Sequence, residues 1–217
     1  DAKNVLVSAN VGILKFDPEY SRRYSVIEAG GMKIGVTGVL GKREISALKN
    51  VDDLTLVDPD EALRQVLPEL KKAACDQLVL LSFADPDETK ELAKRFPEFD
   101  WVVTAGGAAE PPKEPTVIDG PKSHLIEVGQ KGLYVIVVGL YKNGQPSFRY
   151  QKVPLDSRFT DSPEMQKIMV DYQHDLETLG LEGLGLKPSA HPTARQFAGS
   201  EACADCHTAA TEVFLKT

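Results

Sequence analysis

Hydrophobic and polar residues alternate along the first forty residues in a pattern typical of β-strands. The alternating stretch Tyr24–Glu28 is followed, across Gly30 and Gly31, by the apolar run Lys33–Val39, and this arrangement predicts a β-hairpin. A shorter apolar run over Val5–Ala9 predicts another strand. The chain is therefore expected to begin with β-sheet.

Two helices are predicted by the same opening signal, an aspartate followed by proline and two acidic residues. It occurs at Asp58 and again at Asp85, each placed as an N-cap with proline at the first helical position. Apolar residues recur at helical spacing from Leu63 to Ala74. Pro68 lies within this first helix and is expected to bend or break it.

A βαβ unit is predicted around the second helix. The run Gln77–Ser82 is almost continuously apolar, as in a strand covered on both faces, and Trp101–Thr104 predicts the next strand. A right-handed crossover brings Phe83 and the Gly106-Gly107 loop together at the carboxyl ends of these strands. Ligands of α/β sheets usually bind at that edge.

Further strands are predicted at His124–Val128, at Leu133–Leu140 and at Phe148–Val153, with a turn at Asn143-Gly144 before the last. The second of them is apolar enough for a central position. The pattern thus predicts an α/β domain over residues 1–156.

The rest of the chain has a different organisation. Ser162 precedes an amphipathic helix that Gly180 is expected to end. The stretch Leu181–Ser200 lacks periodicity, so residues 157–199 are interpreted as a helix and a linker, and residues 200–217 as the start of another domain. Thr208–Thr217 is expected to be helical.

The sequence Cys203-Ala204-Asp205-Cys206-His207 has the c-type haem attachment pattern, and the chain contains three cysteines in all. Each thiol can add to a haem vinyl group, and His207 then becomes the axial iron ligand. A thioredoxin-like redox pair or half of a zinc site are the alternatives. A thioredoxin-like pair should follow a strand, but a loop precedes Cys203 here. A zinc site needs a second pair of ligands, and the one remaining cysteine, Cys75, ends an apolar helical stretch.

A covalent haem c is therefore the expected cofactor, with His207 as the metal ligand. The second axial ligand is either His191 in the linker, His174 in the amphipathic helix, or a residue outside the sequence. His124 begins a strand and is expected to be structural.

The formal net charge of −7 argues against a nucleic-acid partner, and no apolar run approaches the roughly 20 residues that cross a bilayer. An acidic surface suits a basic redox partner protein. Haem is attached to such motifs outside the cytoplasm, so we expect a periplasmic or otherwise exported protein. The sequence has no visible signal peptide and ends abruptly, which indicates a trimmed chain or a fragment.

From Val5 to about Leu140 the order of elements resembles the second half of a calcineurin-like metallophosphoesterase of the bacterial 5'-nucleotidase type. The resemblance is carried by Leu6–Asn10, by the Gly-x-Lys-Ile-Gly-Val-Thr-Gly run up to Val39, by Asp76–Ser82 and by Phe99–Val103. It implies part of a four-layer α/β/β/α sandwich, a fold that holds two metal ions at its strand ends in this family.

The residues at those strand ends differ from the family pattern. Phe83 stands where the family has a histidine after Leu-Ser, and Gly106–Ala109 stands where it has a Gly-His-x-His pair. Phenyl and methyl groups offer no lone pair, so no divalent metal is expected here. Asp85 and Glu110 remain possible oxygen ligands, although Asp85 is better interpreted as a helix cap.

The segment Phe197–His207 resembles the first haem-binding segment of multihaem c-type cytochromes. Together the two resemblances predict an electron-transfer cytochrome that carries a catalytically degenerate phosphoesterase-like domain as a scaffold or docking surface. A metal-dependent 5'-nucleotidase with ligands upstream of residue 1 is one alternative. A small-ligand binding module, with a pocket lined by Phe83, Ala108 and Ala109, is the other.

Overall fold

A computed structural model describes residues 6–48, 51–118, 123–141, 147–187, 195 and 201–214 of the 217-residue chain. The chain divides into two compact units, unit 1 over residues 1–159 and unit 2 over residues 160–217. In unit 1 the described strands are β1 (Val11–Ile13), β2 (Tyr24–Ala29), β3 (Met32–Leu40), β4 (Leu54–Leu56), β5 (Gln77–Phe83), β6 (Trp101–Thr104), β7 (Thr116–Ile118), β8 (Ser123–Glu127), β9 (Tyr134–Leu140) and β10 (Phe148–Pro154). Its helices are α1 (Lys42–Ala47), α2 (Pro59–Lys72) and α3 (Pro86–Arg95), and unit 2 contains α4 (Pro163–Gly183), α5 (Glu201–Ala204) and α6 (Thr208–Phe214).

A six-stranded sheet in the order β2-β3-β5-β6-β8-β7 forms the centre of unit 1. Strands β3, β5, β6 and β8 are parallel, and the antiparallel strands β2 and β7 lie at the two edges. Two smaller antiparallel sheets pair β1 with β4 and β9 with β10. The predicted α/β class, the hairpin at Gly30-Gly31 and the parallel β5-α3-β6 unit are therefore confirmed.

Helices α2 and α3 cover one face of this sheet. Leu63 and Leu70 of α2, Leu92 of α3, Leu80 of β5 and Val102 of β6 are all fully buried in the resulting core. Burial of each such side chain contributes on the order of 2 kcal/mol, so this contact layer is the main source of stability in unit 1.

The other face of the sheet is partly open. Leu81 is 40% exposed and Phe83 is 60% exposed, whereas Leu80 and Ser82, which alternate with them along β5, are buried. The expectation that other elements cover both faces of β5 is therefore wrong for the described part of unit 1. A continuous apolar run is compatible with burial of both faces of a strand, but it does not show that elements of the same chain cover both faces.

Two local predictions differ from the structure, and a third cannot be compared with it. Within the described residues of the segment Val5–Ala9, only an isolated bridge between Val7 and Arg22 forms, so the predicted strand is wrong there. β9 pairs with β10 in a two-stranded sheet and is not central, because its apolar residues do not specify the strand it pairs with. The predicted turn at Asn143-Gly144 lies outside the described residues.

Helix α2 continues through Pro68 without the predicted break. Pro68 and Arg64, whose carbonyl loses its helical partner, both lie on the exposed side, so water can satisfy that carbonyl. On the other side, Leu63 and Leu70 hold both halves of the helix against the sheet. Packing therefore offsets the cost of the proline.

Unit 2 begins with α4, which Ser162 caps by accepting a hydrogen bond from the Met165 N–H. Gly180 interrupts the helix with a φ of 59°, as the sequence predicted, but a further helical turn extends to Gly183. In the described ranges no helix combines the length and the apolar character that crossing a bilayer requires.

Candidate functional site

The Cys-x-x-Cys-His segment of unit 2 lies across the junction of α5 and α6. Cys203 and Cys206 are both free and exposed. The His207 N–H donates to the Cys203 carbonyl at 2.9 Å, and the Thr211 N–H donates to the His207 carbonyl at 2.9 Å. Asp205 and Cys206 form a turn between the two helices, and these two bonds flank it, so both cysteines and His207 lie within five consecutive residues at this junction.

This arrangement fits the covalent attachment of a haem. Both cysteines are exposed, and the exposed His207 directly follows Cys206 in the chain. Thioether formation needs two reachable thiols, and iron ligation needs an imidazole nitrogen that is not already coordinated or buried. Cys203, Cys206 and His207 meet these requirements together.

The other histidines differ in their surroundings. His174 on α4 is exposed, and its Nδ1 lies 3.8 Å from Glu177 Oε2. His124 on β8 stacks against Trp101 with ring centroids 5.0 Å apart, which is a packing role. His191, the predicted distal ligand, lies outside the described residues, and its role stays a prediction.

The third cysteine, Cys75, lies in unit 1 just after α2 and is half-buried. Burial raises the pKa of its thiol, so Cys75 is predominantly protonated at neutral pH. It is therefore a poor nucleophile and a poor metal ligand compared with an exposed thiol.

At the carboxyl ends of β5 and β6, unit 1 has a shallow depression lined by residues that include Phe83, Asp85, Gly106 and Gly107. The predicted meeting of Phe83 with the Gly106-Gly107 loop is thus confirmed. Asp85 Oδ1 accepts hydrogen bonds from the Asp87 and Glu88 N–H groups at 3.0 and 2.9 Å, so it caps α3 as expected. Arg43 and Glu44 of α1 line the same depression.

Glu110, the other predicted oxygen ligand, is paired with a lysine. Its Oε1 lies 2.6 Å from Lys152 Nζ on β10, and this hydrogen bond lowers the pKa of the Glu110 carboxyl. Across the described ranges no three His, Cys, Asp or Glu side chains lie together in a way that would hold a metal ion.

Sequence reasoning missed two acidic side chains at the same edge. A Cβ atom added to Gly41 would lie only 2.6 Å from Glu44 Oε2 of α1 and 2.7 Å from Glu88 Oε2 of α3. Glu88 Oε1 accepts the Lys42 N–H at 2.8 Å, while the buried Glu44 Oε2 has no hydrogen-bond partner among the described residues. The available signal was Gly41 directly after a buried strand, where a close approach needs glycine.

No protein-family model matches the sequence, and no curated protein matches it. Solved structures do resemble it. The 5'-nucleotidase precursor of Thermus thermophilus has a TM-score of 0.63 at 18% identity, over 80% of this chain and 38% of that one. Sulfate thiohydrolase SoxB of the same organism has a TM-score of 0.62 at 17% identity, over 79% and 32% of the two chains.

The calcineurin-like phosphoesterase YfkN of Bacillus subtilis is similar too, with a TM-score of 0.56 at 18% identity, over 80% of this chain and 63% of that one. The chain thus spans about a third of the length of the first two proteins. At these identities the likeness concerns the fold alone. The chain has a mixed α/β fold of the metallophosphoesterase type.

Proposed function

We propose that this chain is part of a c-type cytochrome that transfers electrons, with haem c bonded through Cys203 and Cys206 and ligated by His207. The observation that carries the proposal is that Cys203 and Cys206 are both free and exposed, with the exposed His207 directly after them. When bound, haem supplies an iron centre that takes up and releases one electron.

Cys203, Cys206 and His207 would each have a separate role in holding the haem. Cys203 and Cys206 fix its position through two bonds, while the imidazole of His207 offers its nitrogen lone pair as a ligand. The backbone N–H of His207 donates to the backbone carbonyl of Cys203, so the main chain of the ligand residue is joined to that of the first cysteine. A second axial ligand, for which His191 is the sequence candidate, would set the redox potential.

Unit 1 serves in this proposal as a scaffold or docking surface for the redox partner protein. Its strand-end edge carries Phe83 and Gly106-Gly107, which cannot coordinate a cation through their side chains. The chain's net charge of −7 suits a basic partner, and covalent haem attachment requires export to a compartment such as the periplasm.

The test is to express the chain with a secretion signal in a bacterium that attaches haem to exported cytochromes. We expect a Soret band and an intact mass increased by one haem. The Cys203→Ser/Cys206→Ser double variant should lack both, while the matched Cys75→Ser variant should keep both. An unmodified mass in a host that loads a control cytochrome would contradict the proposal.

A second candidate function is supported by the fold likeness. The match covers about a third of the 5'-nucleotidase precursor, so in this second proposal the metal ligands come from a part of the parent protein that lies outside this sequence. The parent protein would then hydrolyse a phosphate ester with metal-activated water. Hydrolysis of nitrophenyl phosphate by the parent protein with added Mn²⁺ tests this, and an absence of turnover would remove it.

A further inference from the structure

Helix α4 of unit 2 has an apolar side and a polar side. At about 100° per residue, the apolar residues before Gly180 fall, with one exception, within one sector of the helix surface, roughly 100° wide. This set, the apolar face of α4, consists of Met165, Ile168, Met169, Tyr172, Leu176 and Leu179. The exception is Val170, which lies on the opposite side with Lys167 and His174.

The apolar face of α4 is uncovered in the structure. Five of its six side chains are more than half exposed, Leu176 is partly exposed, and no residue of α4 is buried. The helices α5 and α6 of the same unit also bury none of their residues. A helix in a folded protein gains most of its stability from packing its apolar face, so α4 requires an apolar group to cover it.

A second copy of α4 fits this face poorly. In a coiled-coil pair, Met165, Tyr172 and Leu179 would take one set of core positions. Ile168 and Asp175 would take the other set, so each copy would bury a carboxylate. A membrane surface also fits poorly. The charged residues of α4 are five acidic side chains and one lysine, whereas helices that lie on lipid are rich in lysine and arginine.

We infer that the apolar face of α4 covers the haem held by Cys203 and Cys206, a role that rests on the function proposed above. A porphyrin has two broad apolar faces that favour burial, and α5 and α6, with four and seven residues, are short. Residues 184–202 join α4 to Cys203 and would reach roughly 60 Å if extended, so the face is within reach. His174 lies on the other side of α4, so this arrangement favours a second axial ligand other than His174.

Hydrogen exchange followed by mass spectrometry tests the cover on the exported full chain, loaded with haem, and on its Cys203→Ser/Cys206→Ser variant. The amides of α4 should exchange at least about tenfold more slowly with haem, because covering even one apolar side chain is worth such a factor. Equal exchange rates, in a chain whose mass includes one haem, would overturn the cover and leave the proposed function standing. A mass without haem would overturn both. Slow exchange in the cysteine variant, with a dimer in sedimentation, would assign the face to a second copy and overturn the inference.

Ile168→Asn and Val170→Asn are a matched pair of variants. Each replaces an exposed β-branched side chain of α4, but only Ile168 belongs to the apolar face. In the haem-loaded chain, Ile168→Asn should speed the exchange of α4 about fivefold through lost burial. It should also lower the midpoint potential, because water then reaches the haem. Val170→Asn should change neither quantity, and equal changes in both variants would overturn the assignment of the face.

Discussion

Asn10 and Leu40 are joined by two hydrogen bonds that run in opposite directions. Asn10 Nδ2 donates to the Leu40 carbonyl at 2.8 Å, and the Leu40 N–H donates to Asn10 Oδ1 at 2.9 Å. Asn10 is fully buried, so no water replaces these bonds. The side chain ties the segment before β1 to the end of β3.

Asn10→Ala should lower the free energy of unfolding by about 2 to 3 kcal/mol, because it leaves two backbone groups of Leu40 unsatisfied. Urea denaturation measures the change. The exposed amide of Gln151 provides the control, and Gln151→Ala should stay within about 0.5 kcal/mol of the original chain. Equal changes in the free energy of unfolding for the two substitutions would show that the two Asn10–Leu40 hydrogen bonds do not stabilise the fold as proposed.

Removal of one thiol should leave haem attached by one bond. In Cys203→Ser or Cys206→Ser we expect the intact mass still to increase by one haem, in a reduced fraction of the chains. The haem absorption bands should move to longer wavelength, because an unreacted vinyl group stays conjugated with the porphyrin. Denaturing gel electrophoresis followed by haem staining and absorption spectroscopy give the measurement. Identical spectra of both variants and the original chain would argue against two thioether bonds.

Pro68→Ala should stabilise unit 1 by about 1 to 2 kcal/mol. The substitution restores a helical N–H in α2, and this gain exceeds the added freedom of the unfolded chain. Thermal unfolding followed by circular dichroism measures it. Pro86, the first residue of α3, is the matched control, because proline fits that position and Pro86→Ala should not stabilise. A destabilised Pro68→Ala variant would show that the exposed ring makes a contact that matters.

The ion pair of Lys71 with Glu98 predicts a pH dependence of stability. Lys71 Nζ lies 2.9 Å from Glu98 Oε1, and this hydrogen bond lowers the pKa of Glu98 below its usual value of 4.5. A lowered pKa in the folded state means that stability is present above pH 4.5 and is lost as the pH falls through the folded-state value. Both side chains are more than a third exposed, so the contribution is about 0.5 kcal/mol.

Glu98→Gln should therefore be less stable than the original chain at pH 7 and equally stable well below pH 4. Urea titrations across this pH range give the difference. At 1 M NaCl the difference at pH 7 should shrink, because salt screens an exposed pair. A difference that does not change with pH would attribute the effect of the substitution to packing instead.

Much of unit 1 follows from local signals in the sequence. Asp85 with Pro86 marks the start of α3, and Gly30 with Gly31 marks the hairpin turn, because each of these residues has a backbone or capping role that few others fill. The six-residue helix α1 was missed since Gly41 gives no side-chain cap. Strand partners were also missed, as for β9, because apolar residues are not specific for one neighbour.

The candidate site, too, could be predicted from the sequence only in part. Cys203, Cys206 and His207 lie within five consecutive residues, so their proximity in space follows from the sequence alone. The contributions of Glu44 and Glu88 near Gly41 depend on how α1 and α3 approach the end of β3, which no local pattern encodes. The packing of Trp101, His124 and Phe148 against one another likewise requires β6, β8 and β10, which are separated along the chain, to come together.

The alternation along β5 has a consequence for how this edge can change by mutation. Truncation of the fully buried Leu80 would cost about 2 to 5 kcal/mol, whereas Phe83, 60% exposed, carries little of the folding energy of unit 1. Selection for a folded protein therefore constrains one position and leaves the other nearly neutral. Side chains of different chemistry can therefore stand at residue 83, and so alter the chemistry of this edge, while the protein still folds.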